Sequence, residues 1–347
     1  MRTWLRRAAA ETRYAAVESR QPRGAADKWA HAMSQLSLYY QLDSTVLPPI
    51  AATVCAPLQA DDETRYFLET CKTSILSSAL GNVLRCCLSV TDVNGLLGRG
   101  QMFVLSRAHA AELLGASLAA ARVARAGEPL RLLDVGAGDG GVTSRLAPLF
   151  DEVTTTEVSS WMAWRLRRMG YATVETPFLT AERFPAAGAF DVVSLMNLLD
   201  RCDHPADMLR DAVRLLRPGT GVLLVAIVLP FSEFVEAGTR RRAVIQPLPM
   251  RGARCGDGAS FEASLAALVT RVLVPMGLEL LRIASVPYLC RGDAEHPYYT
   301  LRDAILVLRP SPDDLERRTA VEPAYKTAAA STEDVRRAAA RPALAPL

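Results

Sequence analysis

A glycine-rich turn carries the first residues of this chain that could do chemistry. Gly136 and Gly138 follow a short apolar run and precede a predicted helix. Glycine lets a ligand approach the backbone, and the first N–H groups of a helix point at such a ligand. Asp134 lies just before the turn, and Glu157 lies about 20 residues beyond it, where a carboxylate can accept both hydroxyls of a ribose. The turn is therefore a predicted site for a nucleotide-type cofactor, with these four residues as candidate contacts.

The identity of the cofactor does not follow from the glycines alone, because together with Gly141 they also fit the spacing of NAD-binding folds. The acid at Asp134 favours S-adenosylmethionine, since hydride-transfer folds usually carry an apolar residue there. Glu157 suits either cofactor. The elements that follow are a strand, a helix, a Pro-Gly turn and a long apolar strand, at 190–200, 205–216, 217–221 and 222–229. This order predicts an α/β, Rossmann-like fold of an S-adenosylmethionine-dependent methyltransferase.

A second group of polar residues follows the predicted strand at 190–196. Asn197 and Asp200 lie at its carboxyl end, which is where open α/β sheets carry their chemistry. A carboxylate there can accept the N–H of an imidazole ring and so decide which ring nitrogen is free to attack. The alternative roles are structural, since Asn197 could cap a helix or turn and Asp200 could pair with Arg201 at the surface.

Four segments position these residues in the predicted architecture. Residues 1–27 form an N-terminal tail, and residues 28–127 form a helical N-terminal subdomain with a glycine-rich lid. Residues 128–310 form the methyltransferase domain, which carries an insertion at 231–259. Residues 311–347, rich in Pro, Ala, Arg and Glu, are predicted to be a disordered tail.

Two arginine-containing segments have open roles. Arg99 lies among three glycines, which exclude a stable helix interior. It is interpreted either as a substrate-binding lid residue, near a carboxylate of the substrate or the cofactor, or as part of a plain connector. The segment 240–254 of the insertion is rich in Arg, Gly and Pro, and we expect a mobile loop with a solvated face; contact with an acidic partner is the less favoured interpretation.

The composition argues against several classes of protein. The formal net charge of +3 is small for 347 residues and demands no anionic partner. The seven cysteines are odd in number and lack a C-x-x-C pair, and the four histidines are scattered, so neither a disulfide framework nor a metal site is predicted. The longest apolar run, 222–229, falls short of the about 20 residues of a membrane span. We expect a cytoplasmic or organellar protein, because the Arg-rich start is compatible with a transit peptide or a plain tail.

Longer motifs are more specific than the glycine turn. They include the strings NLLDRCD and PYLCRGD, and they lie at 94–100, 102–104, 132–140, 197–203, 228–231, 287–293, 298–299 and 303–304. On these residues the chain resembles the DREV-type methyltransferase-like proteins, known as protein-histidine N-pros-methyltransferases. The segments 240–254 and 311–347 depart from the pattern of that family.

The resemblance implies a seven-stranded methyltransferase domain that uses S-adenosylmethionine to methylate histidine in His-x-His segments of partner proteins. Matched residue by residue, Asn197 and Asp200 fall on substrate-histidine contacts, and Tyr288 and Tyr299 fall on tyrosines that line the pocket. Our hypothesis gives Asp200 the role of fixing the imidazole tautomer. Asn197 and Tyr299 would orient the ring, Tyr288 would form a wall, and Asn197 would also lie near the methionine end of the cofactor.

Two other functions remain open at this stage. A small-molecule methyltransferase would share the sheet and differ mainly in its loops, and an inactive cofactor-binding scaffold would retain the turn without turnover. A nucleic-acid methyltransferase is disfavoured, because the sequence after the strand is Asn-Leu-Leu-Asp rather than the Asn-Pro-Pro-Tyr type that stacks a flipped base. The sequence gives no indication of the substrate protein or the oligomeric state.

Overall fold

A mixed eight-stranded sheet forms the centre of the computed structural model, which describes residues 36–71, 101–237, 240–292 and 297–311. The strands are β1 (Met102–Phe103), β2 (Arg131–Val135), β3 (Glu152–Glu157), β4 (Ala172–Glu175), β5 (Val192–Met196), β6 (Val222–Val228), β9 (Leu278–Arg291) and β10 (Tyr298–Pro310). A separate two-stranded sheet pairs β7 (Val235–Ala237) with β8 (Arg240–Arg242).

The strand order is β1-β9-β10-β6-β5-β2-β3-β4. The strands from β6 to β4 pair in parallel, whereas β10 runs antiparallel between β6 and β9. Without the two-residue edge strand β1, seven strands remain, with a parallel part and an antiparallel hairpin on one side. The predicted Rossmann-like methyltransferase sheet is thus confirmed, and β1, which pairs with the end of β9, is an unpredicted eighth strand.

The helices flank this sheet as the hydrophobic pattern predicts. They are α1 (Pro49–Ala52), α2 (Asp62–Thr70), α3 (Arg107–Arg125), α4 (Thr143–Leu146), α5 (Ser160–Arg168), α6 (Pro205–Leu215) and α7 (Phe261–Leu268). Helix α4 ends earlier than the predicted helix 142–149, because Pro148 lacks the N–H that another turn needs, and a 3-10 turn replaces it. Helix α7 likewise passes into a π-helical turn at Val269–Leu273.

The sheet is buried on both faces, as a parallel sheet must be. All seven residues of β6 are buried, and alternate residues of this strand join two different apolar clusters. A buried ion pair ties α3 to the sheet: the Nε atom of Arg125 donates to both oxygens of Asp191 at 2.8 and 2.7 Å. The backbone N–H of Arg131 also donates to Asp191, at 2.8 Å, so both oxygens of this carboxylate accept hydrogen bonds.

The last two strands are longer than the predicted strands 278–286 and 303–308. The prediction followed the apolar runs, but backbone pairing in the β9–β10 hairpin continues beyond them, with Tyr299 opposite Cys290 and Leu301 opposite Tyr288. The extra length carries the hairpin to the edge of the sheet where the parallel strands have their carboxyl ends.

Only part of the predicted N-terminal subdomain lies within the described residues. The segment around Cys55 runs along β9, with the N–H of Ala56 donating to the carbonyl of Ile283 at 2.7 Å. The predicted tail 1–27 and the lid with Arg99 lie outside the described residues, as does the predicted C-terminal tail beyond residue 311.

The insertion at 231–259 combines exposed charges with a buried anchor. Arg241, Arg242 and Arg251 are exposed, as expected of a solvated face. Phe231, Leu248, Met250 and Ala253 are buried in the main apolar cluster, which the Gly, Pro and Arg content did not indicate. Two of the arginines form ion pairs, Arg242 with Asp203 and Arg254 with Glu233, the latter at 2.5 Å. The mobility expected of the segment 240–254 stays a prediction.

Candidate active site

The glycine turn after β2 has the backbone geometry that only glycine adopts readily. Gly136, Gly138 and Gly140 have φ angles of 69°, 58° and 78°. A Cβ atom on Gly136 would lie 3.0 Å from a methyl group of Leu198, whereas a Cβ atom on Gly138 meets no described atom within 4 Å. The backbone at Gly138 therefore faces open space, which fits a cofactor lying against it.

Glu157 lies beside this open space, as the sequence predicts. Its carboxylate accepts three backbone N–H groups, from Gly138 at 2.9 Å, Val158 at 2.8 Å and Ser159 at 3.0 Å. A carboxylate offers about four acceptor positions, so one remains for a ribose hydroxyl. The structure brings Glu157 and the glycine turn together, and the ribose contact itself stays a prediction, for one hydroxyl rather than two.

Asp134 is buried beneath the turn, where its two oxygens are already used. It accepts the hydroxyl of Thr143 at 2.5 Å and that of Ser194 at 2.7 Å. Burial raises the pKa of Asp134, and these two hydrogen bonds oppose the rise. The carboxyl group thus links β2 to the start of α4 and to β5, and its contact with the cofactor stays a prediction.

Asn197 ends β5 in a left-handed conformation, with φ of 56°. Its backbone N–H donates to the carbonyl of Ala226 at 2.9 Å, and its side-chain Nδ2 donates to Oδ2 of Asp303 at 2.8 Å. The amide oxygen of Asn197 is buried and accepts no hydrogen bond from the described residues. Asn197 therefore offers an acceptor to a ligand, which is the role that the sequence assigns to it.

Asp200 is buried, with 1% of its surface exposed, in the loop that follows. Its Oδ2 atom pairs with Arg201 at 2.5 Å, and its Oδ1 atom has no hydrogen-bond donor within the described part of the chain. Burial raises the pKa of Asp200, and the Arg201 guanidinium opposes that rise. The ion pair with Arg201 considered above is thus present, but Asp200 is buried and keeps one oxygen without a donor from the described residues, and its role toward a substrate stays a prediction.

The insertion fixes the loop that carries Asp200. The backbone N–H of Phe234 donates to the carbonyl of Asp200 at 3.1 Å, and that of Gln246 donates to the carbonyl of Asp203 at 2.9 Å. The Arg201 guanidinium stacks on the ring of Phe234 at 4.0 Å and donates to the carbonyl of Ser232. These contacts hold Asp200 in place although it lies outside regular secondary structure.

The two predicted pocket tyrosines lie on the β9–β10 hairpin. Tyr288 is buried, and its hydroxyl donates to the sulfur of Met102 in the edge strand β1. Burial raises the pKa of Tyr288 well above its ordinary value, and Asp303 and Asp200 add to the rise. Tyr299 is half-buried and lies opposite Cys290. By register, Tyr288, Tyr299 and Asp303 project from the same face of the sheet, so both tyrosines share a face with the partner of Asn197.

Asp303 belongs to the motifs that carry the resemblance, but the sequence analysis gave it no role. It is fully buried in β10, its Oδ2 atom accepts from Asn197, and its Oδ1 atom is without a partner among the described residues. Burial raises its pKa well above the ordinary value, and Asp200 adds to the rise. The available signal was an acid inside an otherwise apolar strand, where a carboxylate needs a partner or a function.

Two further observations concern metal ions and membranes. Among the described residues, no group of three or more His, Cys, Asp or Glu side chains is arranged to hold a metal ion. None of the helices in the described ranges is long and apolar enough to cross a bilayer.

Solved structures with a related fold include methyltransferases at low similarity. The N-methyltransferase NodS from Bradyrhizobium japonicum WM9, in complex with S-adenosyl-L-homocysteine, is 19% identical with a TM-score of 0.34 and covers 59% of this chain and 86% of its own. The CMeT domain of the citrinin polyketide synthase is 20% identical with a TM-score of 0.35, covering 59% of this chain and 54% of its own. Likeness at this level does not bear on substrate or mechanism.

Curated relatives match a shorter part of the chain. The ubiquinone biosynthesis O-methyltransferase of Caulobacter sp. (strain K31) is 35% identical over 107 residues, which are 28% of this chain and 41% of the relative. The enzyme of the same name from Albidiferax ferrireducens is 29% identical over 126 residues, which are 34% of this chain and 50% of the relative. The chain thus spans half or less of the length of these two relatives.

The model of the DREV methyltransferase family matches residues 39–310, which is most of the chain. This range contains the glycine turn, Glu157, Asn197, Asp200 and the β9–β10 hairpin. The match agrees with the resemblance seen in the sequence motifs and confirms S-adenosylmethionine as the cofactor. The chain belongs to the DREV methyltransferase family.

Proposed function

We propose that this protein is an S-adenosylmethionine-dependent histidine N-methyltransferase that acts on His-x-His segments of partner proteins and modifies the pros nitrogen. The observation that carries the proposal is the buried Oδ1 atom of Asp200, which lacks a donor within the described residues. A substrate imidazole can supply that donor through its N–H. The family match supports methyl transfer, and the histidine substrate is our inference from Asp200 and its neighbours.

The residues around the glycine turn fit the cofactor. Gly136 and Gly138 would hold it by their backbone, Glu157 would accept a ribose hydroxyl, and the amide oxygen of Asn197 would lie near the methionine end. When bound, S-adenosylmethionine supplies an electrophilic methyl group on a sulfonium, whose departure leaves a neutral thioether. The protein therefore needs no acid for the leaving group, and its task is to align and orient the nucleophile.

Asp200 selects the nucleophilic nitrogen of the substrate ring. Imidazole has a pKa near 6.5, so a large fraction is neutral near pH 7, with one N–H and one lone pair on separate atoms. When Asp200 accepts the tele N–H, the pros nitrogen keeps its lone pair and attacks. As the N–C bond forms and the C–S bond breaks, the ring becomes positive, and the Asp200 carboxylate stabilises that charge before the tele proton leaves to solvent.

The test uses labelled S-adenosylmethionine with a His-x-His peptide, followed by mass spectrometry that locates the methyl group on the ring. We expect pros-methylhistidine from the wild type. Asp200→Asn should lower kcat by about 100-fold or more, since a misoriented ring loses the contribution of a positioned acid or base. Asp203→Asn, a change of the same type in the same loop, is the matched control and should be nearly neutral. An Asp200→Asn variant that methylates the peptide at the wild-type rate would overturn the proposal.

The second candidate is a small-molecule O-methyltransferase. It is favoured by the names of the curated relatives, which are ubiquinone biosynthesis O-methyltransferases. In that case Asp200 would accept the proton of a phenolic hydroxyl that attacks through the same oxygen. Product analysis of a catechol set beside the peptide set separates the two candidates. If the protein binds S-adenosylhomocysteine but forms no product from either set, the inactive cofactor-binding scaffold is the function that remains.

A further inference from the structure

We propose that Asp303 is a positioning residue that turns the Asn197 amide so that its oxygen, and not its NH2 group, faces the reacting imidazole. This inference rests on the proposed function, and it adds a residue and a reason for the choice of substrate. Three buried oxygen atoms carry it, namely Oδ1 of Asn197, Oδ1 of Asp200 and Oδ1 of Asp303, all three without a donor among the described residues.

The orientation of the amide follows from the chemistry of its partner. The Nδ2 atom of Asn197 donates to the Oδ2 atom of Asp303 at 2.8 Å, so Asp303 holds the NH2 end of the amide. The oxygen of Asn197 is then directed away from Asp303. The left-handed backbone at Asn197 and its hydrogen bond to the carbonyl of Ala226 hold the residue in this position.

An amide turned the other way would block attack by the pros nitrogen, so methyl transfer would then need a ring turned over to present its tele nitrogen. Its NH2 group would donate to the lone pair of the attacking ring nitrogen, and that lone pair must stay free for methyl transfer. With the NH2 group held by Asp303, Asn197 and Asp200 both present acceptors. Two neighbouring donors have other partners, since Arg201 pairs with Oδ2 of Asp200 and Tyr288 donates to Met102.

The charges in the same region favour a ligand that becomes positive. The buried carboxyl groups of Asp200 and Asp303 face one guanidinium, that of Arg201, which is 25% exposed at its side chain. When both acids are ionised, this set is one negative charge in excess. A methylated imidazolium carries the complementary charge, so the set stabilises the ring as the N–C bond forms.

This arrangement also favours imidazole over a phenol. Imidazole carries its donor and its nucleophilic lone pair on different atoms, so the acceptors can bind the N–H while the other nitrogen attacks. In a phenol the donor and the nucleophilic lone pairs lie on one oxygen, so a single acceptor would serve and three acceptors would not be needed. The acceptor set of Asn197, Asp200 and Asp303 thus suits a histidine side chain.

The test measures the ratio of pros- to tele-methylhistidine formed on a His-x-His peptide. Asp303→Asn keeps the size of the side chain but lets the amide at 197 take either orientation. We expect a mixture of both products and a kcat lowered by about 10- to 100-fold, as for the loss of other residues that support a ligating group. The affinity for S-adenosylhomocysteine, measured by calorimetry, should stay unchanged, which separates positioning from a general loss of structure.

An exchange variant provides the rescue. In Asn197→Asp with Asp303→Asn, the carboxylate stands at 197, where it can only accept, and the amide at 303 donates to it. Aspartate tolerates the left-handed backbone of Asn197 better than most residues. We expect this double variant to restore a single product. Asp62→Asn, at an exposed position of α2, is the control and should behave as wild type.

The wild type gives an independent readout as the pH is lowered. Protonated Asp303 can donate to the oxygen of Asn197, so the amide can reverse and the tele product should appear. Among the described residues, the ionisable groups whose charges interact with Asp303 are Asp200, Arg201, Tyr288 and Cys290. The Asp303→Asn variant lacks this titration, and its product ratio should not change with pH.

The outcomes separate the two proposals. If the wild type yields no methylhistidine, the proposed function fails and this inference falls with it. If the wild type yields a single product and Asp303→Asn yields the same product at the same rate, the inference alone is overturned. Should Asp303→Asn fail to fold, the exchange variant and the pH series decide, since a single product that is independent of pH in the wild type contradicts the inference.

Discussion

Replacing Glu157 by Gln probes the cofactor end of the site. The carboxylate of Glu157 accepts N–H groups from Gly138, Val158 and Ser159 at 2.8 to 3.0 Å. A glutamine can keep its oxygen on Val158 and Ser159, but its NH2 group then faces the N–H of Gly138, so two donors oppose each other. The same change removes the last acceptor position that a ribose hydroxyl could use.

The expected magnitude follows from that lost acceptor. A hydrogen bond to a charged group contributes about 1.5 to 3 kcal/mol, and 1.4 kcal/mol is a factor of ten in affinity. The Kd of S-adenosylhomocysteine should therefore rise about 10- to 150-fold in Glu157→Gln. The value of kcat at saturating cofactor should change less, because Glu157 lies at the end of β3 and the candidate acids lie on β10 and after β5.

Isothermal titration calorimetry with S-adenosylhomocysteine measures this effect directly. Glu175→Gln is the matched control, because Glu175 ends the neighbouring strand β4 in register with Glu157 but lies at the surface, bonded to Ser160 and close to Arg167. It should bind with wild-type affinity. A folded Glu157→Gln protein that binds as tightly as the control would refute the assignment of Glu157 to the ribose.

Three further predictions concern stability. Arg125→Met should lower the free energy of unfolding by about 3 to 5 kcal/mol in denaturant titrations, because it leaves the Asp191 carboxylate buried without its cation. Arg242→Gln, which breaks a partly exposed pair with Asp203, should cost less than about 1 kcal/mol in the same titration, and a larger loss would mean that the insertion depends on this pair. Asp303→Asn should gain thermal stability over the wild type as the pH rises from 4 to 7. The pKa of Asp303 is raised in the folded state, so the unfolded chain loses this proton at lower pH than the folded protein does. The free energy of unfolding of the wild type therefore falls with rising pH, by up to about 1.4 kcal/mol per pH unit. A difference in Tm between variant and wild type that is constant with pH would contradict this.

Local rules predict the cofactor half of the site because its signals are local. The glycines, the acid at Glu157 and the apolar strands follow one another over a short stretch of chain, and parallel strands bring their carboxyl ends to one edge. Asp200 could be proposed from the same rule, since it follows β5. Its burial and its unpartnered oxygen depend on tertiary packing, so they required coordinates.

The residues to which sequence reasoning gave no role act across long distances in the chain. Asp303 accepts a hydrogen bond from Asn197, which lies 106 positions earlier in the chain. The antiparallel hairpin that brings them together has a register that no local sequence pattern fixes. The edge strand β1 pairs with β9 over an even longer separation in the chain, and only two residues of β1 take part. The insertion was predicted from its Gly and Arg content, whereas four apolar side chains anchor it in the core.

The insertion holds the loop with Asp200 through main-chain hydrogen bonds from Phe234 and Gln246. Such bonds do not depend on which side chains the insertion carries. Exchange of its exposed residues should therefore leave the position of Asp200 unchanged. Chimaeras that replace these exposed residues and keep the two main-chain bonds test this, with the rate of methyl transfer as the measurement.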